Sequence, residues 1–139
     1  MPDHITLEQA LRAIAAAFDE ATKDGKNMAA AVVDANGDPI CSARMDGAHE
    51  RVLRFALRKA YTAAVMARDT LAFKRDIERA NRTLADYGDP MFTTLQGGMV
   101  VMDQGRVVGG IAVGGNTSER DEEVARIALR SLGFNHEQG

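Results

Sequence analysis

The chain has one cysteine, no tryptophan and few aromatic residues. These shortages exclude an internal disulfide and argue against a core built from large rings. A single cysteine, Cys41, cannot form a disulfide within the chain, and its position in an apolar segment predicts a small buried thiol. Aromatic residues make up only 5% of the sequence, whereas alanine is abundant. We therefore expect a core of small, closely packed side chains rather than of large rings.

The sequence also lacks a basic excess and any long hydrophobic run. A formal net charge of −3 provides no electrostatic footprint for nucleic acid or an anionic membrane. No apolar stretch approaches the ~20 residues that cross a bilayer, and the N-terminus lacks the pattern of a secretory signal. These absences predict a cytoplasmic protein with neither nucleic acid nor membrane as partner. The 139 residues are expected to form a single domain over 1–139, long enough to bury about two thirds of the unfolded surface.

Hydrophobic periodicity and turn residues predict an alternation of helices and hairpins. A capping box at Thr6 and Gln9 opens the first helix, and Asn36-Gly37 marks the first hairpin turn. The predicted elements are a helix from Leu7 to about Asp24, strands Met28–Val33 and Ile40–Met45, a helix Val52–Ala67, a weaker helix Lys74–Ala85, a short strand Met91–Leu95, strands Met99–Met102 and Val107–Val113, and a last helix capped by Ser118 with Asp121. Adjacent antiparallel strands between helices favour an α+β layered fold, with about five strands and helices on both faces or at one end of the sheet.

The loop from Arg44 to His49 is the strongest candidate for a functional site. It places a guanidinium, a carboxylate and an imidazole within six positions, where an ordinary turn needs only small residues. Arg44 could pair with a carboxylate, Asp46 could accept a proton or hold Arg44, and His49 could act as an acid–base group or as an axial haem ligand. The structural alternative is an ordinary Asp-Gly turn before a helix, with Arg44 covering apolar surface.

A second candidate is the glycine-rich strand that precedes the last helix. Gly109-Gly110 removes two side chains, which gives room for a flat ligand or for close backbone contact with a neighbouring subunit. A phosphate loop is excluded because the first turn of the following helix is acidic and no lysine follows at P-loop spacing. Asp121 either lines a pocket or simply caps the helix. No metal-binding constellation and no nucleophile–base pair is visible.

Three segments together resemble a known family. They are Ala30–Asp34 with Asn36-Gly37, the run Arg44–Ala48 leading to Arg58–Ala64, and Gly97-Gly98 through Gly109–Gly115 to Asp121–Ala125. In this colinear order, from Thr6 to about Leu132, the chain resembles the GlcG/HbpS family of haem-binding-like proteins, which includes the C-terminal domain of PduO-type cobalamin adenosyltransferases.

The resemblance implies a profilin-like α+β sandwich that forms homo-oligomers and binds haem, another tetrapyrrole or another small molecule near subunit contacts. Members of the family occur in operons for catabolic pathways. The ligand-binding residues expected here are Arg44, Asp46, His49, Gly98, Gly109, Gly110 and Asp121.

Three functions stay open at this point. The first is a homo-oligomeric small-ligand-binding protein, accessory to a catabolic pathway, with haem as the candidate cofactor. The second is an enzyme that acts on a small organic acid, with Asp46 and His49 transferring protons and Arg44 anchoring the carboxylate. The third is a structural oligomer in which the glycines and alanines only pack subunits together.

Overall fold

A computed structural model describes residues 4–134 and shows four α-helices and four strands in this range. In chain order they are α1 (Leu7–Lys23), β1 (Ala29–Asp34), β2 (Pro39–Arg44), α2 (Glu50–Met66), α3 (Thr70–Arg79), a 3-10 turn (Leu84–Tyr87), β3 (Gly98–Asp103), β4 (Arg106–Gly114) and α4 (Ser118–Arg130). The predicted capping box at Thr6 is confirmed: the Gln9 N–H donates to Thr6 Oγ1, and the Thr6 N–H donates to Gln9 Oε1.

The four strands form one antiparallel sheet in the order β2-β1-β4-β3. Because side chains alternate along a strand, Ala30 and Val32 of β1 face one layer while Ala31 and Val33 face the other. Helices α1 and α4 cover the first face, and α2 covers the second. The predicted α+β fold is thus confirmed, with helices on both faces.

Small residues let α2 lie very close to the sheet. Its inward stripe is Ala56, Ala60 and Ala64, which pack on alanine and valine of the central strands. A Cβ added at Gly98 would overlap the carbonyl oxygen of Lys59, and one added at Gly110 would overlap that of Ala60. Glycine at these positions therefore sets how closely helix and sheet approach.

The predicted fifth strand, Met91–Leu95, was wrong. This segment is irregular in the structure, and side chains of α2 bind its backbone instead of a neighbouring strand. Arg58 Nη2 donates to the carbonyl oxygens of Pro90 and Phe92, both at 3.1 Å, and the Thr93 N–H donates to Thr62 Oγ1 at 3.1 Å. Because side chains of α2 bind its backbone groups in this way, the segment does not need a neighbouring strand to satisfy them.

Three further predictions need correction. The weak helix begins at Thr70 rather than Lys74 and ends at Arg79, before the short 3-10 turn. The N-cap of α4 is Thr117 rather than Ser118, and its hydroxyl accepts the Arg120 N–H at 3.2 Å. Cys41 is half-buried rather than fully buried, at the margin of the core.

The β3 edge of the sheet is covered by the start of α3. Thr70 Oγ1 accepts the N–H of Gly98, and Asp69 Oδ1 accepts the N–H of Val100, both at 2.9 Å. The opposite edge is β2, where Pro39, Ser42 and Arg44 are exposed. The two edges of the sheet therefore differ in the backbone groups that they present. None of the helices within residues 4–134 has the length and apolar character needed to cross a membrane.

Candidate functional site

An open cleft of about 250 Å³ lies where the C-terminal end of β4 meets α2 and α4. Its walls combine apolar side chains with amides, a hydroxyl and a short stretch of bare backbone. The lining residues are Val52, Phe55, Lys59, Leu95, Gln96, Gly114, Gly115, Asn116, Ser118 and Asp121. Leu95 is 45% exposed although it is a large hydrophobic residue. The cleft therefore suits a ligand with an apolar body and a few polar groups.

A buried ion pair forms the floor of this cleft. Lys59 reaches from α2 and Asp121 from the first turn of α4, and their Nζ and Oδ2 atoms are 3.5 Å apart. The two residues are only 3% and 6% exposed. Lys59 Nζ also donates to the carbonyl oxygens of Val113 and Gln96, while Asp121 Oδ1 accepts the Asn116 N–H at 3.0 Å. Both charges are thus paired and hydrogen-bonded, as burial requires.

Burial shifts the protonation equilibria of both partners. Loss of solvent raises the pKa of the Asp121 carboxyl to about 6, although the Lys59 ammonium and the Asn116 amide oppose the change. Desolvation likewise lowers the pKa of Lys59, against the attraction of Asp121. Titratable groups perturbed by burial and by a specific partner in a cleft are typical of functional sites.

The structure brings Asp121 into the cleft, but it separates the predicted polar loop from the lining. Arg44 and Asp46 are exposed, and neither lines the cleft. His49 is the N-cap of α2, and its Nδ1 accepts the Arg51 N–H at 3.2 Å. The loop nevertheless lies at the same end of the sheet, because Arg44 pairs with Ala29, which in turn pairs with Gly114.

The structure places the predicted ligand-binding glycines in packing contacts. Gly98 and Gly110 lie beneath α2, and an added Cβ at Gly109 would meet the Val33 carbonyl oxygen and the Ile5 side chain. None of the three lines the cleft. The glycines that do line it are Gly114 and Gly115, at the end of the same strand.

Lys59 is the site residue that sequence reasoning missed. A lysine in an alanine-rich helix is usually solvated, so the sequence does not predict that this side chain is buried in a site. Its spacing carried a signal: it lies four residues after Phe55 and next to Ala60, inside the buried stripe of α2. Within residues 4–134 no group of three or more His, Cys, Asp or Glu side chains is arranged to hold a metal ion.

Comparison with known proteins gives relatives over most of the chain. The family model described as "Haem degrading protein HbpS-like" matches residues 5–130. Protein GlcG of Escherichia coli K12 is 31% identical over 109 residues, which cover 78% of this chain and 80% of that protein. An uncharacterized 15.0 kDa protein from the dhaT-dhaS intergenic region of Citrobacter freundii is 30% identical over 131 residues, or 90% and 89% of the two chains.

Solved structures show the same fold. A double mutant of Streptomyces reticuli HbpS is 36% identical with a TM-score of 0.85, covering 94% of this chain and 88% of that one. The PduOC:heme complex has a TM-score of 0.87 over 97% of this chain and 99% of that one. At 22% identity the second likeness concerns the fold alone. With a family model over 126 positions and relatives at 30% identity or more, this chain belongs to the HbpS-like family.

Proposed function

We propose that the chain is a small-ligand-binding protein whose ligand is a tetrapyrrole, with haem as the leading candidate. The observation that carries the proposal is the cleft, where Val52, Phe55 and Leu95 offer apolar surface beside the bare backbone of Gly114 and Gly115. A flat, largely apolar ring with polar substituents matches this combination. The family description, which refers to haem, supports the same class of ligand.

The size of the cleft supports a homo-oligomer. Pockets that enclose a whole small-molecule ligand usually measure about 300–1,000 Å³, and this cleft holds about 250 Å³. At this volume one chain would not enclose a whole macrocycle. A second copy of the chain, meeting the first near the exposed Leu95, would cover the rest. We extend the proposal to an accessory role in a catabolic pathway, which the family resemblance implies.

His49, which begins α2 at the same end of the sheet as the cleft, is the side chain that we propose as the ligand of a haem iron. The cleft itself is lined by no His, Cys, Met or Tyr, which are the usual axial ligands. His49 is the N-cap of α2, three residues before the lining residue Val52, whose N–H donates to the His49 carbonyl oxygen at 3.1 Å. Because its Nδ1 accepts the Arg51 N–H, the proton of the neutral imidazole lies on Nε2; iron binding at Nε2 would move this proton to Nδ1 and break the cap hydrogen bond. Bound haem would supply an iron centre that takes up an electron or a further small ligand.

Hemin titration of the purified chain tests the proposal. We expect a saturable shift of the Soret band, which His49→Ala abolishes or moves. His4→Ala is the matched control, because His4 is also exposed but binds the Ala35 N–H beside the β1–β2 turn, at the opposite end of the sheet. No saturable shift in the wild-type protein would reject a tetrapyrrole. A shift that His49→Ala leaves unchanged would reject only the axial role.

The geometry favours this binding function over the enzyme that Asp46 and His49 would form. A general acid or base must lie within hydrogen-bond reach of the proton that it transfers. Both residues are exposed, and neither lines the cleft. Turnover of a small organic acid that Asp46→Asn removes, in a protein that does not bind hemin, would reverse this preference.

A further inference from the structure

Lys59 joins four separate segments of the chain beneath the cleft. From α2 its ammonium reaches the end of β4 through the Val113 carbonyl oxygen and the segment before β3 through that of Gln96, at 3.4 Å. Its third contact is Asp121 Oδ2 on α4, at 3.5 Å. Three donors meeting three acceptors leave this ammonium no capacity for a direct bond to a ligand.

Asp121 extends the connection to the second wall. Its Oδ1 accepts the N–H of Asn116, in the turn that joins β4 to α4. The next residue along α4, Glu122, accepts from Gln96 Nε2 at 3.3 Å. Both Gln96 and Asn116 line the cleft, on walls contributed by different parts of the chain. The pair and its neighbour thus fix the two walls relative to each other.

On the side of Gly97 the ion pair is closely packed. A Cβ added at Gly97, between Gln96 and β3, would lie 2.9 Å from Lys59 Nζ and 3.3 Å from the Asp121 Cβ. The wall segment therefore sits directly on the ion pair. Any change in how the two side chains attract each other is transmitted to that segment because no gap separates them.

We propose that Lys59 and Asp121 are positioning residues of the cleft, and that loss of the ion pair between them loosens the two walls and weakens ligand binding. The expected effect of the ion pair on ligand binding rests on the proposed function, whereas its expected effect on the two walls does not. A buried ion pair adds little to stability compared with apolar residues of the same size. Its effect here is on where Gln96 and Asn116 lie.

The charges around Asp121 give the direction of the effect. Lys59 faces it from α2, the Asn116 amide faces it from the preceding turn, and Glu119 repels it from two residues earlier in the first turn of α4. Asp121→Asn removes the attraction to Lys59 and leaves that ammonium buried with two carbonyl oxygens only. A buried cation that has lost its counter-ion is costly, so the segment around Gln96 opens to admit water.

The first experiment uses no ligand. In amide proton–nitrogen correlation spectra at pH 7, Asp121→Asn, which keeps the shape of the side chain, should shift the Gln96 and Gly97 resonances and accelerate their hydrogen exchange. Asp76→Asn is the matched control, because it removes a carboxylate that pairs with Arg68 and Arg79 away from the cleft. Gln96 and Gly97 resonances that are unchanged in Asp121→Asn would overturn the positioning role.

The second experiment measures hemin affinity at pH 7. Asp121→Asn, and Lys59→Met, which keeps the stem without the charge, should each weaken binding by about tenfold or more, whereas Asp76→Asn should bind as the wild type does. Failure of hemin to bind the wild type rejects the proposed function and leaves the spectra to decide the positioning role. Wild-type affinity in both cleft variants overturns the coupling between the ion pair and binding.

Discussion

Gly110→Ala tests how closely α2 lies against the sheet. An added methyl group would overlap the carbonyl oxygen of Ala60 and lie 3.3 Å from the Ala64 Cβ. The first of these atoms belongs to the helix backbone, so it cannot turn aside as a side chain would. The whole helix has to move outward, and contacts along its alanine stripe are lost with it.

The expected cost follows from two opposing effects. Overpacking of a tight core costs about 1–3 kcal/mol, and a backbone obstacle belongs at the upper end of that range. Replacing glycine by alanine restricts the unfolded chain and returns about 0.4–1 kcal/mol. We therefore expect the free energy of unfolding to fall by about 2 kcal/mol. For a chain of this length, that corresponds to a melting temperature lower by roughly 8 °C.

Gly114→Ala in the same strand is the matched control. Both glycines have a negative φ, so neither substitution strains the backbone. The nearest atom to an added Cβ at Gly114 is the Val52 carbonyl oxygen at 3.1 Å, which needs only a small adjustment. Urea unfolding of the two variants should separate them by at least about 1 kcal/mol. Equal stability of Gly110→Ala and the wild type would refute the close packing, and loss of hemin binding without loss of stability would restore Gly110 to a ligand-binding role.

Three shorter predictions follow from the same contacts. Phe73→Ala should lower the free energy of unfolding in urea by about 3–5 kcal/mol, because Phe73 is 1% exposed and packs edge-on against Tyr87 and Phe92. The control Leu7→Ala, at a position that is 56% exposed, should change this free energy by less than about 0.5 kcal/mol. His49→Ala removes the N-cap acceptor of α2 and should cost about 1 kcal/mol, seen as faster amide exchange at Arg51. Burial raises the pKa of Asp121 from its ordinary value of 3.8 to about 6, so the contribution of this carboxyl to stability declines as pH rises from about 4 to 6. Asp121→Asn should lack this decline, and the same pH dependence of urea unfolding in both proteins would contradict the shift.

Local signals in the sequence predicted most of the secondary structure. The Thr6 capping box and the Asn36-Gly37 turn depend on neighbours within a few residues, so their chemistry is visible without the fold. Met91–Leu95 misled because its backbone partners, Arg58 and Thr62, come from a helix about thirty residues earlier. An apolar segment shows its hydrophobicity in the sequence but not the groups that will satisfy its amides.

The site was predicted only in part for a similar reason. Asp121 was a candidate because polar residues after a glycine-rich strand are visible in the sequence. Its partner Lys59 is 62 positions away, and only the packing of α2 on the sheet brings the two together. Arg44 and Asp46 were predicted to bind a ligand because charged residues are dense in their loop. Charge density in a sequence does not distinguish a pocket from an exposed turn, and both residues are exposed.

The unequal edges of the sheet limit how copies of this chain can associate through their backbones. With the amides of Gly98 and Val100 already bonded to Thr70 and Asp69, an incoming strand finds no free donors at those positions of β3. Strand addition is therefore directed to the β2 side. A pairing between two β2 strands uses the open side of both molecules, so such growth ends at a pair. By occupying these amides, Asp69 and Thr70 oppose the strand addition from both edges that would build a fibril. The central strands, which are rich in alanine and valine, would otherwise favour it.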